Sequence, residues 1–257
     1  MLTRNEILRL KSLHSPKGRK NENAVLIEGL RLVEDCLESQ WPLLQLFIVE
    51  KNLEKLQYAR TLNLARSVTI EPTLISQKDM ERISDTKNPQ GIALEIQILD
   101  ENEDIQIADK ILYLDNISDP GNLGTIMRTA AWFGVEQILL SENCANIWNP
   151  KVVRSAMGAH FKIDCDVFNL DELLSENQEL PHQVLGAYMD GKPLMDIDTN
   201  IPHWILILGN EAHGISKNLD GFINQKITIE GSGIQESLNV AVAGGIILNH
   251  LNKDSLL

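Results

Sequence analysis

The sequence alternates short apolar segments of strand length with longer segments whose apolar residues recur at helical spacing. The pattern is clear from residue 111 onward, where the apolar segment 111–115 precedes the helical segment 122–133 and the apolar segment 137–140 follows it. Such alternation is typical of α/β proteins, in which helices cover the faces of a mostly parallel sheet. Because it runs through most of the 257 residues, we predict an α/β fold for the whole chain.

The predicted elements follow from this spacing and from helix start and stop signals. Thr3 and Glu6 form a capping-box pattern before a first helix, which Ser15 and Pro16 end, and residues 15–23 are predicted to form a loop. We predict strands at 24–27, 43–49, 67–70, 91–98, 111–115, 137–140, 161–167, 183–188, 204–208 and 226–229. We predict further helices at 30–37, 53–65, 76–83, 122–133, 151–157 and 236–251.

An acidic segment at residues 99–109 interrupts the alternating pattern. A chain of 257 residues exceeds the usual size of one compact domain, and a run of charged residues between apolar segments is typical of a linker. We therefore predict two α/β domains, residues 1–105 and residues 106–257.

The formal net charge of −13 is unevenly distributed. Residues 1–105 hold 14 basic and 17 acidic side chains, whereas residues 106–257 hold 9 basic and 19 acidic ones. Basic side chains are densest in residues 1–20, where the one acidic residue is Glu6. This basic segment has two interpretations, a binding site for polyanions and an ordinary solvated surface.

The cysteines and histidines give no sign of disulfides or metal sites. Cys36, Cys144 and Cys165 are far apart, and the six histidines form no metal-binding motif, so we expect reduced cysteines and no metal. No segment has the roughly 18 apolar residues that a membrane span needs. The first ten residues lack the pattern of a signal peptide, and we expect a cytoplasmic protein without membrane contact.

Three polar, glycine-rich loops follow predicted strands, and in parallel sheets ligands bind beyond the carboxyl ends of strands. In the first loop, Gly121 and Gly124 flank Asn122, which is a predicted helix N-cap. Arg128 follows about one and a half turns later, from where its side chain could reach the same loop. The alternative interpretation is a capped helix with a surface arginine.

The second loop contains Gly209, Glu211 and Gly214 directly after the predicted strand 204–208. A carboxylate at this position could orient a hydroxyl or a basic group. An ordinary polar turn is the alternative, and His213 is predicted to be a turn residue rather than a catalytic base.

The third loop, residues 230–239, is glycine-rich and leads into a helix of small residues. Its Gly231 and Gly233 do not complete a dinucleotide-binding motif, because Glu236 occupies the place of the third glycine. The sequence also lacks the Gly-x-x-x-x-Gly-Lys-Ser/Thr pattern of a phosphate-binding P-loop. Neither nucleotide-binding motif therefore explains this loop.

The three loops resemble, in order and spacing, the motifs of the SpoU/TrmH family of RNA ribose methyltransferases. The first loop matches Asn-x-Gly-x-x-x-Arg with Asn122, Gly124 and Arg128. The second matches Gly-x-Glu-x-x-Gly with Gly209, Glu211 and Gly214. The third matches Ser-Leu-Asn-Val-x-Val-Ala with residues 237–243. The resemblance covers about residues 108–250, and residues 27–34 and 89–91 resemble the ribosomal-protein-like substrate-binding domain that many members carry. One departure is Glu230-Gly231, where the family commonly has Pro-Met.

The resemblance implies a trefoil-knotted SPOUT methyltransferase domain preceded by a smaller α/β substrate-binding domain. It implies methyl transfer from S-adenosylmethionine to a ribose 2′-hydroxyl of structured rRNA or tRNA, and a homodimer that pairs through the knotted domains. The implied cofactor-binding residues are Leu208, Gly209, Ile229 and Leu238. The implied catalytic residues are Asn122, Arg128, Glu211, Ser237 and Asn239. Arg128 has two possible roles, general base and electrostatic clamp, because a guanidinium is protonated under almost all conditions.

Lys17, Arg19 and Lys20 are predicted to contact the RNA backbone independently of base sequence. One alternative function is a catalytically inactive RNA-binding or ribosome-assembly factor of the same fold, against which the complete set of catalytic residues argues. A base methyltransferase of a related knotted family is another, and the pair of Asn122 and Arg128 favours ribose instead. A nicotinamide-dependent dehydrogenase is a third, and the glycine pattern of the third loop argues against it.

Overall fold

The computed structural model describes residues 1–99, 106–234 and 236–253, and the chain divides into two compact units. Unit 1 contains Met1–Asp100 together with Trp148–Phe161, and unit 2 contains Glu101–Ile147 and Lys162–Leu257. The sequence pattern gave no indication that Trp148–Phe161 associates with unit 1.

Unit 1 is built on a four-stranded mixed sheet. Its strands are β1 (Ala24–Glu28), β2 (Leu43–Val49), β3 (Pro72–Ile75) and β4 (Ile92–Gln97). They lie in the order β1-β4-β2-β3, with β4 antiparallel to both neighbours and β2 parallel to β3. The helices before β4 are α1 (Arg4–Ser12), α2 (Pro16–Glu22), α3 (Leu30–Leu37), α4 (Ala59–Ser67) and α5 (Gln77–Ile83). Leu10, Phe47 and Met80 belong to the apolar core that joins α1 and α5 to this sheet.

The prediction of a loop at residues 15–23 is wrong, because Pro16–Glu22 forms helix α2. Pro16 lies in the first helical turn, where a missing N–H has no consequence, and the Ser15 Oγ accepts a hydrogen bond from the Gly18 N–H at 3.1 Å. Asn23 ends the helix with a left-handed φ of 48°. The Ser-Pro pair therefore starts a second helix in addition to ending the first.

The predicted helix at 53–65 and the predicted strand at 67–70 are both displaced in the structure. Helix α4 begins only at Ala59, after two short 3-10 turns, and it continues through Ser67, while the strand that pairs with β2 begins at Pro72. The late start has a cause in the buried Tyr58, whose hydroxyl donates a hydrogen bond to the carbonyl of Gln90. Tyr58 ends the second of the two 3-10 turns, so this contact lies where 3-10 turns replace the first part of the predicted α-helix.

Unit 2 is built on a six-stranded sheet in which all neighbouring strands are parallel. The strands are β5 (Lys110–Leu114), β6 (Gln137–Leu140), β7 (Asp164–Val167), β8 (Gln183–Pro193), β9 (Trp204–Leu208) and β10 (Gln225–Thr228), and they lie in the order β10-β8-β9-β5-β6-β7. The helices after β5 are α6 (Pro120–Trp132), α7 (Pro150–Ala156, in the segment assigned to unit 1), α8 (Leu170–Glu176) and α9 (Val240–Leu251). Helix α8 was not predicted, and β7 is shorter than its prediction because Ala159–Phe161 forms a 3-10 turn.

The strand order places the carboxyl ends of β5 and β9 side by side. Leu114 is the register partner of Leu208, and the Asp115 N–H donates a hydrogen bond to the Leu208 carbonyl at 2.9 Å. The side chains of β9 are all buried, as are those of β5 from Ile111 onward. The first two loops therefore leave the sheet next to each other, at the edge where parallel sheets bind ligands.

In the described part of the chain, no helix is long and apolar enough to cross a membrane. The same residues contain no group of three or more side chains that could hold a metal ion. The three cysteines are free thiols, and burial raises the pKa of the Cys36 thiol to about 12 and also raises the pKa values of Cys144 and Cys165. These thiols are protonated at neutral pH, so they are poor nucleophiles.

Candidate active site

The first loop ends in helix α6, whose N-cap is Asp119 rather than Asn122. The Asp119 carboxylate accepts a hydrogen bond from the Asn122 N–H at 2.9 Å, and Pro120 follows at the first helical position. The prediction that Asn122 is the N-cap is therefore wrong. Because Asp119 supplies the cap, the Asn122 side chain is available for contacts with other loops.

The side chains of Asn122, Glu211 and Asn239 form one hydrogen-bonded chain that joins all three loops. The Asn122 Nδ2 donates to the Glu211 carboxylate, and the Asn239 Nδ2 donates to the Asn122 Oδ1 at 3.0 Å. The Asn239 Oδ1 caps α9 by accepting hydrogen bonds from the N–H groups of Ala241 at 3.0 Å and Val242 at 3.3 Å. This cap also explains why α9 begins at Val240 rather than at the predicted residue 236.

Each amide in this chain has a single orientation that satisfies its neighbours. An ionised carboxylate has only acceptors, so Asn122 must direct its NH₂ group to Glu211 and its oxygen to Asn239. The oxygen of Asn239 is fixed in turn by the two N–H groups at the start of α9. The arrangement can therefore present donors and acceptors at fixed positions to a bound hydroxyl group.

Arg128 lies on α6 but outside this hydrogen-bonded chain. Positions 122 and 128 point in different directions around a helix, and Arg128 is exposed. Its guanidinium has no hydrogen-bond or ion-pair partner among the residues that the structure describes. The group is therefore accessible to a phosphate or to a reacting oxygen.

Ser237 and Leu238 belong to the third loop, and both are exposed. Within the described residues Ser237 makes no hydrogen bond to Asn122, Glu211 or Asn239. The structure thus brings together three of the five predicted catalytic residues and leaves Arg128 and Ser237 outside the chain of contacts. His213 is exposed in the turn after Glu211, as predicted for a turn residue.

The predicted cofactor residues lie at the end of β9 and in the third loop. Leu208 is buried in the sheet, and a Cβ atom at Gly209 would overlap the backbone of Gly214, so only glycine fits there. Among Ile229 and the described loop residues before Asn239, namely 230–234 and 236–238, no backbone group bonds to the backbone of another described residue. Ile229 and Leu238 add partly exposed apolar side chains to these available N–H and C=O groups. A combination of apolar contact and backbone hydrogen bonding suits an adenosyl group, and these residues therefore fit S-adenosylmethionine.

The three predicted RNA contacts differ in their exposure. Lys17 and Lys20 are exposed on α2, whereas Arg19 is only 4% exposed. The Arg19 guanidinium donates hydrogen bonds to the carbonyls of Leu13 at 3.2 Å and His14 at 3.0 Å, and its burial lowers its pKa. Arg19 stabilises the carboxyl end of α1, which corrects the prediction that all three side chains face RNA.

The residues that hold the first two loops together were missed in the sequence. Asp115 directly follows β5, and its carboxylate accepts a hydrogen bond from the Ser216 N–H at 2.6 Å. Asn116 and Asn210 complete this set of contacts. The available signal was a charged residue at the very end of an otherwise apolar strand.

Two family profiles match the chain. The SpoU rRNA Methylase family matches residues 109–249, and a profile described as an MRM3-like substrate binding domain matches residues 4–94. The chain is also 34% identical over 242 residues to the 23S rRNA (guanosine(2553)-2′-O)-methyltransferase RlmP of Bacillus subtilis, an alignment that covers 94% of this chain and 93% of that protein.

Solved structures give the same result for the fold. A protein of Porphyromonas gingivalis, described as an RNA methyltransferase of the TrmH family, superposes with a TM-score of 0.85 at 32% identity over 99% of both chains. An AdoMet-bound rRNA methyltransferase from Sinorhizobium meliloti superposes with a TM-score of 0.83 at 28% identity, over 100% of this chain and 97% of that one. Both units of the present chain thus have counterparts in single proteins of known structure.

Proposed function

The chain belongs to the SpoU rRNA Methylase family, and we propose that its substrate is ribosomal RNA. It is an RNA 2′-O-methyltransferase that uses S-adenosylmethionine as its cofactor. The observation that carries the assignment of a working site is the hydrogen-bonded chain of Asn122, Glu211 and Asn239. The choice of ribosomal RNA is supported by the similarity to the 23S rRNA methyltransferase along nearly the whole chain.

The reaction needs a ribose oxygen in line with a methyl group and a route for one proton. S-adenosylmethionine supplies the methyl group on a positively charged sulfur when it is bound. With the cofactor held near Leu208, Gly209, Ile229 and Leu238, its methyl group would pass to the 2′-oxygen as the bond to sulfur breaks, and the hydroxyl proton would pass to an acceptor such as water. Positioning supplies much of the rate in a displacement of this kind.

Asn122, Glu211 and Asn239 are proposed to hold the ribose next to the cofactor. Their fixed amide and carboxylate groups offer both a donor and an acceptor to the sugar hydroxyls, which are themselves donors and acceptors. Ser237, two residues before Asn239, is proposed to complete this site when RNA and cofactor are bound. Preorganised groups of this kind need no rearrangement during the reaction.

Arg128 is proposed to act as an electrostatic clamp on a phosphate or on the developing alkoxide. The alternative role, a general base, requires a neutral guanidinium, which is rarely formed in proteins. The exposed position of Arg128 on α6 supports contact with a charged substrate group. A clamp also lowers the cost of removing the hydroxyl proton by another acceptor, such as water.

The cofactor is proposed to bind against the backbone around Leu208, Gly209, Ile229 and Leu238. The tight approach of Gly209 to Gly214 and the available backbone groups of the third loop support this position. We also propose that α9 passes through a trefoil knot formed by the chain before it, as the family implies.

Residues 1–105 are proposed to form the RNA substrate-binding domain and residues 106–257 the catalytic domain. Lys17 and Lys20 of the first domain are proposed to contact RNA phosphates, which lysine ammonium groups bind without regard to base sequence. Arg19 is left out of this proposal because its guanidinium is buried. A cytoplasmic location agrees with the bacterial rRNA methyltransferase among the relatives.

A homodimer that pairs through α6 and α9 is also proposed. These two helices pack on each other and leave Trp132 80% exposed and Val242 51% exposed. Exposed apolar groups of this size are typical of protein interfaces. Arg128 lies one turn before Trp132, so the clamp would stand at the edge of the dimer contact.

The proposed function is tested by transfer of labelled methyl groups from S-adenosylmethionine to unmodified ribosomal RNA, with transfer RNA as a parallel substrate. Digestion to nucleosides and mass analysis then identify the product. We expect a 2′-O-methylnucleoside from ribosomal RNA, and a loss of at least about 100-fold with Arg128→Ala. Arg66→Ala, which removes an exposed arginine of unit 1, is the matched control and should leave the rate unchanged. Methylation of a base, or of transfer RNA alone, would contradict the proposal.

A further inference from the structure

Asp115 is a buried carboxylate outside the hydrogen-bonded chain of the active site. It directly follows β5 and is only 2% exposed. Its Oδ2 accepts a hydrogen bond from the Ser216 N–H at 2.6 Å, and its Oδ1 accepts one from the Asn116 side-chain amide at 2.6 Å. Its two oxygens therefore join the first loop, which contains Asn116, to the second loop, which contains Ser216.

Asn116 adds a second attachment between these loops. Its φ of 58° is left-handed, a conformation that asparagine tolerates better than most residues. Its carbonyl accepts a hydrogen bond from the Asn210 side chain at 2.8 Å, and its own amide also donates to the Ser216 Oγ at 3.1 Å. The second loop is thus attached to the first at both of its ends, positions 210 and 216.

Asn210 in turn shapes the turn that carries Glu211. Its Oδ1 accepts hydrogen bonds from the N–H groups of Ala212 at 2.9 Å and His213 at 3.2 Å. Its backbone pairs with that of Gly214 in both directions, at 3.0 and 2.9 Å. Glu211 therefore lies in a short closed turn whose placement depends on the contacts at positions 210 and 216.

We infer that Asp115 is a positioning residue for methyl transfer, which acts by holding the turn of Glu211 and the adjoining Gly209 in their working places. The inference rests on the proposed function. It does not require direct contact of Asp115 with RNA, because the Asp115 carboxylate is connected to the turn of Glu211 through Asn116, Asn210 and Ser216. A displacement of about 1 Å in such a site costs about 100-fold in rate.

The chemistry of the site requires a carboxylate at this position. Both partners of Asp115 are donors, namely the Ser216 N–H and the Asn116 NH₂ group. An asparagine offers one oxygen and would direct its own NH₂ group at one of these donors. Asp115→Asn therefore breaks one attachment while it preserves the size and shape of the side chain.

The test compares Asp115→Asn with Asp79→Asn in the 257-residue chain. Asp79 is a buried aspartate of α5 in unit 1, 6% exposed, so its replacement controls for a general loss of stability. Melting temperature, the Kd for S-adenosylmethionine by calorimetry, and kcat and KM for RNA are measured below both melting temperatures. We expect Asp115→Asn to raise the Kd about 10-fold and to lower kcat by 10-fold or more. Asp79→Asn should leave Kd and kcat unchanged.

A double-mutant cycle with Glu211→Gln separates positioning from a general structural defect. If Asp115 acts through Glu211, Asp115→Asn lowers kcat by a smaller factor in the Glu211→Gln background than in the wild type. Equal factors in the two backgrounds would overturn the inference, as would unchanged Kd and kcat in Asp115→Asn. An equal effect of Asp79→Asn would overturn it as well.

Asn210→Ala provides the same test should Asp115→Asn fail to fold. It removes the attachment to the Asn116 carbonyl and the cap of the Glu211 turn but leaves the carboxylate of Asp115 in place. We expect the same rise in Kd and fall in kcat, and unchanged values would overturn the inference. If the wild-type protein methylates no RNA, the proposed function is contradicted but the inference on Asp115 is not. The Kd of the variants for S-adenosylmethionine would still measure the placement of the second loop.

Discussion

Asn122 has two partners of opposite hydrogen-bonding character. It donates to the carboxylate of Glu211 and accepts from the amide of Asn239. Among side chains of this length, only an amide carries both functions at every pH, since an ionised carboxylate lacks the donor and leucine lacks both. The identity of this residue is therefore set by its neighbours on two other loops.

Asn122→Asp tests the contact with Glu211. The change places two carboxylates against each other, and their repulsion raises the apparent pKa of the pair. We expect methyl transfer to fall about 100-fold at a pH of about 8. The deficit should shrink at a pH of about 6, because a protonated carboxyl group can donate a hydrogen bond as the amide does. Initial rates across this range, each divided by the wild-type rate, provide the measurement.

Asn122→Ala is the matched control, because it removes the amide without adding a charge. Its deficit relative to the wild type should be the same at every pH. A deficit of Asn122→Asp that is equally independent of pH would argue against the hydrogen bond between Asn122 and Glu211.

At the residue scale the sequence indicates which side chains matter but not how they meet. The motif resemblance named Asn122, Glu211 and Asn239, which the structure brings into contact. Their contact depends on β5 lying next to β9 in the sheet, a pairing between segments about 90 residues apart that local patterns do not specify. The burial of Arg19 was hidden for a different reason, because a single charged residue in a basic run has no periodic signature.

Helix α2 shows how one element changes the interpretation of a basic segment. In an extended loop all three cations of residues 17–20 could face RNA, but a helix turns Arg19 away from its neighbours. Lys17 and Lys20 are separated by three positions, so they lie on one face of the helix. The element therefore presents a pair of ammonium groups to the solvent.

Lys17→Gln combined with Lys20→Gln is expected to weaken RNA binding and its dependence on salt. Each phosphate contact that is lost removes about one released counterion, so the slope of log Kd against log salt should fall by about one to two. Filter binding of ribosomal RNA fragments at several salt concentrations gives this slope. The double change of the exposed lysines Lys192 and Lys253 to glutamine, in unit 2, is the control that keeps the net charge equal.

Arg19→Ala separates a structural role from RNA binding in the same helix. Removal of the guanidinium leaves the carbonyls of Leu13 and His14 without this donor, which should lower the free energy of unfolding by about 1 to 3 kcal/mol. The salt slope of RNA binding should stay at the wild-type value when measured on folded protein. A reduced slope in Arg19→Ala, or an unchanged slope in the double lysine variant, would contradict the assigned surface.

At the element scale, buried strands with clear flanks were predicted well and segments fixed by tertiary contacts were not. The predicted strand 204–208 coincides with β9, and the prediction for β5 differs by one residue at each end. The β-branched run 68–70 lies outside any strand, because α4 extends to Ser67 and β3 is set by its pairing with β2. Long-range pairing therefore overrides local β propensity at this position.

At the scale of the whole molecule, α6 and α9 carry apolar groups that a single chain leaves uncovered. A Cβ atom at Gly245 would lie 3.5 Å from Thr129, which places these two residues where the helices meet. Trp132 is one turn from Thr129, and Val242 and Ile246 are one turn apart beside Gly245. Trp132 is 80% exposed, Val242 51% and Ile246 39%, and these fractions are high for neighbouring apolar side chains.

Trp132→Glu is expected to convert the proposed homodimer into monomers. A large aromatic side chain at the centre of an interface contributes 2 kcal/mol or more by rough measure, and a buried glutamate adds the cost of removing a charge from water. Light scattering after size exclusion, over a range of concentrations, measures the mass. Leu56→Glu, at an apolar position of unit 1 that is 90% exposed, is the control and should leave the mass unchanged. A wild-type protein that is monomeric at all concentrations would contradict the proposal. If Trp132→Glu loses both the dimer and methyl transfer, the result would link Arg128, one turn away, to the dimer contact.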